Sequence, residues 1–210
     1  FVVVRSDPAA SNELLPSQFL SEDVGKRIAH IENEPERIKA TVDAATFAAS
    51  LYTHNIQVAF LAFSLGTLTI LGGWWLLLTN GLILGAVAAQ YIGAGETTFF
   101  TAWVGPHGAI ELPAIIVAAA AGLRLGPALL LPGELGRTRA LRLAMPDACR
   151  LLGGSATMLV IAGMIEGSFS QLSSQSVPYG LKITVALLLL GAVLPYLGGL
   201  IRRRPHGETT

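Results

Sequence analysis

The strongest chemical signal is the run Pro106-His107-Gly108-Ala109-Ile110-Glu111-Leu112-Pro113. His107 and Glu111 are four residues apart, so a helix would set them on one face, about 6 Å from each other. Glu111 lies in an otherwise apolar run. A carboxylate there is costly unless it is paired, protonated or turned to a wet cavity. Such a pair can bind a divalent metal, relay a proton, or tie helices together through a hydrogen bond. Two further groups are expected at the same depth: Glu166 near the end of a later apolar stretch, and His54-Asn55 just before the start of an earlier one. His54, Asn55, His107, Glu111 and Glu166 therefore form one predicted polar layer, either a structural network or a proton or ion site. His107, Glu111 and Glu166 are the candidate metal ligands. A catalytic zinc site needs three protein ligands and an open position, and the chain has no His-Glu-x-x-His motif. No catalytic residue and no cofactor is assigned, and an intramembrane metal hydrolase is the least favoured of the function classes.

The elements that must hold these groups are apolar. Of 210 residues, 52% are hydrophobic and 13% charged, and mean hydropathy is +0.58. So few charges cannot coat a water-soluble globule, and the chain reads as an integral membrane protein whose first partner is the lipid bilayer. Zero formal net charge argues against a nucleic-acid partner. The single cysteine, Cys149, excludes an internal disulfide and reads as a small apolar filler.

The fold class expected is all-α: a polytopic transmembrane bundle of about five hydrophobic helices with an amphipathic helix before them. Residues 1–55 form a polar juxtamembrane region, 56–201 the transmembrane domain, and 202–210 a basic tail. Phe1–Val4, without Met, reads as the end of an earlier span. Residues 5–55 carry eight acidic against five basic side chains, net −3. Asn33-Glu34-Pro35-Glu36 has the spacing of a helix start and predicts an amphipathic helix of about five turns, lying on the membrane surface or leading into the next span. From Ile56 to Gly93 there is no charge over 38 residues, nearly twice one span. Asn80-Gly81 predicts the break, giving spans at about 56–79 and 81–93, with one long bent helix as the alternative. Residues 94–108 read as a connection, followed by spans at about 109–132, 148–168 and 181–200.

The basic stretches 137–150 and 202–204 belong on the cytoplasmic side by the positive-inside rule. The polar layer then lies near the outer face, and Arg124 lies toward the cytoplasm, where its side chain is expected to snorkel to headgroups. Gly81/Gly85, Gly122/Gly126 and Gly163/Gly167 have the small-residue spacing that lets helices approach closely in lipid.

Several segments together resemble the stage II sporulation protein M family. They are His54-Asn55-Ile56-Gln57-Val58-Ala59-Phe60, Asn80-Gly81-Leu82-Ile83-Leu84-Gly85-Ala86, the Pro106–Ala114 run with Ala121-Gly122-Leu123-Arg124-Leu125-Gly126, and Ile161-Ala162-Gly163-Met164-Ile165-Glu166-Gly167. The resemblance covers about 54–200, with residues 1–50 only loosely similar. Many members carry two asparagines where this chain has His54-Asn55. The resemblance implies a multi-pass protein of the bacterial cytoplasmic membrane. In spore formers the namesake is needed for engulfment and anchors peptidoglycan-degrading partners. It therefore implies a non-catalytic scaffold of an envelope complex, partnered by other envelope proteins and by copies of itself. The competing expectation is a proton- or cation-coupled transporter or channel using the His/Glu layer.

Overall fold

The computed structural model describes residues 23–32, 37–69 and 71–202, and everything described is helix or short connection. The elements are α1 (Val24–Glu32), α2 (Arg37–Thr69), α3 (Leu71–Gly93), α4 (Thr97–Leu130), α5 (Arg137–Ile165) continued by a π-helical turn (Glu166–Ser170), and α6 (Tyr179–Arg202). Four helical stretches among the described residues are long and apolar enough to cross a membrane: Leu71–Gly93, Thr97–Leu130, Arg137–Ser170 and Tyr179–Gly199. The second half of α2 adds the charge-free segment from Ile56 onward. The chain is thus an all-α membrane-type bundle. Phe1–Val4, the Asn33–Glu36 helix start and Arg203-Arg204 lie outside the described residues.

α4 is the central helix. It packs against α2, α3, α5 and α6. Its sequence explains why: Ala114, Ala118, Ala119, Ala121 and Gly122 are all buried, and small side chains let four neighbours reach one backbone. A helix that is apolar all round belongs inside a bundle. The core around it joins Val58, Ala59 and Ala62 of α2 to Ile110 and Ile115 of α4, Met158 and Leu159 of α5, and Val193 of α6. The large aliphatics Leu187, Leu188 and Leu194 of α6 face outward, which suits a lipid-facing surface.

The structure corrects three boundaries. Asn80-Gly81 lies inside α3, and the break comes near residue 70. There the Thr69 hydroxyl accepts the Gly72 N–H at 2.9 Å, as an N-cap does. A Cβ on Gly73 would stand 3.1 Å from the Gly66 Cα, so α2 and α3 fold back against each other through two glycines. An Asn-Gly turn in apolar surroundings would leave backbone groups unpaired, which continued helix avoids. Of the two placements expected for the first helix, the one leading into the next span is found, because α2 runs unbroken from Arg37 to Thr69. The predicted connection 94–108 is mostly helix. α3 ends at Gly93 and is capped by Gly95 (φ +82), after which the Glu96 N–H donates to Tyr91 O at 2.8 Å in a Schellman-type cap. α4 then begins at Thr97 and carries Pro106, Pro113 and Pro127 within it. Prolines interrupt soluble helices far more often than packed membrane ones. Finally, α5 begins in the basic stretch, at Arg137 rather than near 148.

α1 is an element that the sequence did not separate from the polar region. Val24 and Ile28 rest on Tyr91, Phe99 and Trp103, the aromatic cluster where α3 meets α4. The Arg27 guanidinium sits 5.2 Å from the Tyr91 ring centre and donates to Gln90 at 3.0 Å. Glu32 accepts from the Ser174 N–H and hydroxyl and from the Tyr179 hydroxyl. α1 therefore closes one end of the bundle, tied to the connection before α6.

Of the six predicted packing glycines, Gly122 and Gly163 make close contacts. A Cβ on Gly122 would collide with the Phe63 carbonyl, and one on Gly163 with the Tyr52 ring. Gly81 faces open space and Gly167 is exposed, so neither packs a helix here. Gly126 is buried and Gly85 half-buried. Gly66 does what Gly81 was expected to do: its Cβ would lie 3.2 Å from Ala119 O and from Leu123 N. Gly122→Ala is expected to cost about 1–3 kcal/mol through overpacking. Gly81→Ala is expected to be neutral or to gain up to about 1 kcal/mol from helix propensity. Thermal unfolding in detergent micelles checks both, and equal responses would refute this packing scheme.

Candidate functional site

A buried polar layer crosses the bundle between α2, α4, the π-helical turn and α6. α4 presents His107 and Glu111 on its inner face, 7% and 6% exposed. They do not face each other as a bonded pair; each turns to a neighbouring helix. His107 Nδ1 and Ser170 Oγ share a 3.0 Å hydrogen bond whose direction follows the imidazole tautomer. The half-buried Asn55 side chain of α2 lies within reach of the Glu111 carboxyl. Glu166, 1% exposed, stands within electrostatic reach of Glu111. Helical geometry changes at Glu166, the first residue of the π turn. π turns arise where a helix absorbs an extra residue, often at functional positions. Here the turn brings both Glu166 and Ser170 into the interior.

The sequence reading missed two members. Lys182, in the first turn of α6, is 2% exposed. Its ammonium donates to Ser170 O at 3.2 Å and to Leu172 O. Those carbonyls close the C-terminal end of the long α5 helix, where helix dipoles favour a cation. Ser170 is fully buried and serves both His107, through its hydroxyl, and Lys182, through its carbonyl. The signal for Lys182 was present: it is a lone cation at the start of an apolar span, a position where snorkelling is the usual outcome. Its inward direction depends on where α5 ends in space.

His54 is a correction. It is exposed, while its neighbour Asn55 turns inward, so His54 does not join the layer. Adjacent helical residues point about 100° apart, and only one of the two can face α4. Among the described residues no three His, Cys, Asp or Glu side chains come together as a metal-binding group. His107, Glu111 and Glu166 therefore do not form a three-ligand set.

Arg124 is the other correction. Its guanidinium does not simply reach for headgroups. It donates to Asp147 of α5 through Nε at 3.3 Å and Nη2 at 3.0 Å, and Arg150 lies 3.3 Å from the other Asp147 oxygen. The Arg124 side chain is 60% exposed, and exposed pairs of this kind contribute at most about 1 kcal/mol. The pair orients the basic end of α5 against α4. Ser155 provides a stronger tie between the same helices, donating from within the core to Ala114 O at 2.8 Å.

At the α1 end, Glu32→Ala removes an acceptor used by three donors. Loss of about 2 kcal/mol of local stability is expected there, since hydrogen bonds to a charged group are the stronger kind. Hydrogen exchange of the α1 amides should then accelerate while the α4 amides keep their protection. Unchanged exchange over 24–32 would refute the clamp.

A family model described as Stage II sporulation protein M matches residues 2–171. That match takes in the N-terminal polar region, which the sequence resemblance had counted as loose, and ends before α6. An uncharacterized protein of Methanocaldococcus jannaschii is 27% identical over 144 residues, covering 67% of this chain and 63% of the relative. The chain thus spans less than two-thirds of that relative's length. No solved structure matches the chain.

Proposed function

The chain belongs to the stage II sporulation protein M family, and from that premise we propose that it is a non-catalytic scaffold of a bacterial envelope complex, embedded in the cytoplasmic membrane. One observation carries this reading. The buried polar side chains tie helices to one another rather than lining an assembled catalytic set. Ser155 joins α5 to the Ala114 carbonyl of α4, His107–Ser170 joins α4 to the π turn, and Lys182 joins that turn to α6. The same end of the bundle is closed by α1 through Glu32. Such cross-ties favour a rigid platform with a shaped extramembrane end, the property a docking component needs.

By the positive-inside rule the Arg137–Arg150 end faces the cytoplasm, and α1 with the connection 171–178 faces the outside. Envelope proteins acting on the cell wall would meet the chain on that outer face. Assembly with further copies is part of the same proposal. A second reading, a proton- or cation-coupled transporter, draws support from the unpartnered carboxylate oxygens Glu111 Oε1 and Glu166 Oε2.

The two readings separate in one variant. His107→Ala combined with Glu111→Gln removes the hydrogen bond to Ser170 and alters the carboxyl beside Asn55 of α2, and a loss of about 1–3 kcal/mol is expected if these groups hold the bundle. Thermal unfolding in micelles reads that loss. Unchanged stability together with lost ion flux in liposomes would defeat the scaffold and support transport. Cross-linking in native membranes, followed by identification of the captured envelope proteins, tests the docking surface. Capture should weaken when Glu32 is replaced by Ala, and capture indifferent to that change would argue against the α1 end.

A further inference from the structure

We propose that the Arg137 end of the bundle is a binding face for anionic phospholipid headgroups, built by the α4–α5 connection and the first turns of α5. The inference rests on the chain being embedded in a bilayer and holds for scaffold and transporter alike.

Positive charge is left over at this end. Between Arg124 and Asp147 the chain carries Arg137, Arg139 and Arg142 against Glu134 alone. Asp147 is already engaged by Arg124 and Arg150. Arg137, Arg139 and Arg142 are exposed, and none of them forms an ion pair or a side-chain hydrogen bond with another described residue.

The surface around these arginines is not built for water. Leu131 of the connection and Leu143 of α5 are 74% and 64% exposed, and Leu135 and Met145 are exposed as well. On α5, Ala140 and Ala148 are buried and mark the side turned to the bundle. Arg139 and Arg142 stand on the other side, with Leu143 one turn from Arg139 and Met145 one turn from Arg142. Guanidinium groups and large apolar side chains thus share one outward face. Cytosol would leave the apolar groups wet, and hydrocarbon would strip the arginines of partners. The headgroup layer suits both, because phosphate accepts the guanidinium fork while the acyl chains take the apolar side chains.

Helix length puts the face at that depth. Thr97–Leu130 and Arg137–Ser170 are 34 residues each, which is about 51 Å of helix against about 30 Å of hydrocarbon. About 10 Å at each end is left for the headgroup layer, or about six residues, the stretch from Arg137 to Arg142. The lipid that fits is anionic. A zwitterionic headgroup brings its own cation, whereas an anionic one neutralises arginines that have no counter-charge in the protein.

Native mass spectrometry of the full chain, released from nanodiscs of mixed phosphatidylglycerol and phosphatidylcholine, reads which lipid stays bound. Phosphatidylglycerol should be enriched among the retained lipids. The enrichment should fall about fivefold in Arg139→Gln, and about 25-fold when Arg142→Gln is added. Lys26→Gln removes an exposed charge from α1, at the opposite end, and should leave the enrichment unchanged. All three side chains are exposed, so thermal unfolding in phosphatidylcholine nanodiscs should match that of the unaltered chain. Three results would overturn the proposal: equal retention of the two lipids, which would leave the face to an acidic protein partner; an equal fall in Lys26→Gln, which would reduce the effect to net charge; or displacement of phosphatidylglycerol by inorganic phosphate, which would make the face a site for a free anion. Loss of envelope-protein capture in the Glu32 variant concerns the other end of the bundle, so the two proposals fail separately.

Discussion

In the interior of a bilayer no water is at hand to satisfy a stray polar group, and the architecture of this chain follows from that constraint. Glu111, Glu166, His107 and Lys182 are tolerable only if protein surrounds them. They are buried because α4 is thin. Its alanines and Gly122 let α2, α5 and α6 close around it, so polar side chains on α4 meet helix ends and side chains instead of lipid. The small residues and the ionisable ones thus belong to one design. Without close approach the polar layer would be exposed to acyl chains, and without the polar layer close approach would specify little about register.

The two ends of the bundle are fixed by different physics. At the end bearing Arg124, Asp147 and Arg150, the pairing is exposed, and its contribution is to orientation more than to stability. At the other end, aromatic rings carry the packing. Tyr91, Phe99, Trp103 and Tyr179 lie with ring centres 5.9–6.0 Å apart, and α1 covers them. Amphipathic rings suit the level where apolar and wet surroundings meet. This end also holds the polar layer, so contacts made by α1 lie only one short connection from Ser170 and Lys182. Family membership and architecture rest on most of the chain, whereas Lys182 lies beyond the matched residues. The layer therefore combines matched positions, Asn55 through Ser170, with a cation from the last helix.

The sequence by itself determined the class of solvent and the helical fold, and it singled out the two carboxylates that the bundle buries. Long uninterrupted apolar runs call for helices in lipid, and Glu111 and Glu166 are conspicuous because few charges interrupt those runs. What it could not decide is which way a side chain turns about its helix axis. His54 and Asn55 were equivalent as neighbours in the chain, and only the position of α4 separates the exposed one from the inward one. Asn80-Gly81 carries strong turn chemistry, yet packing of Gly66 against Gly73 placed the reversal near residue 70. Pro106 read as a boundary because isolated helices rarely tolerate proline, and a surrounding bundle removes that penalty. Lys182 became part of the site only when the end of α5 arrived beside it with two carbonyls to offer. Local preference sets which residues are polar, apolar or small. Rotation, register and the satisfaction of buried charge are properties of the assembled bundle, because they depend on atoms far apart in the chain.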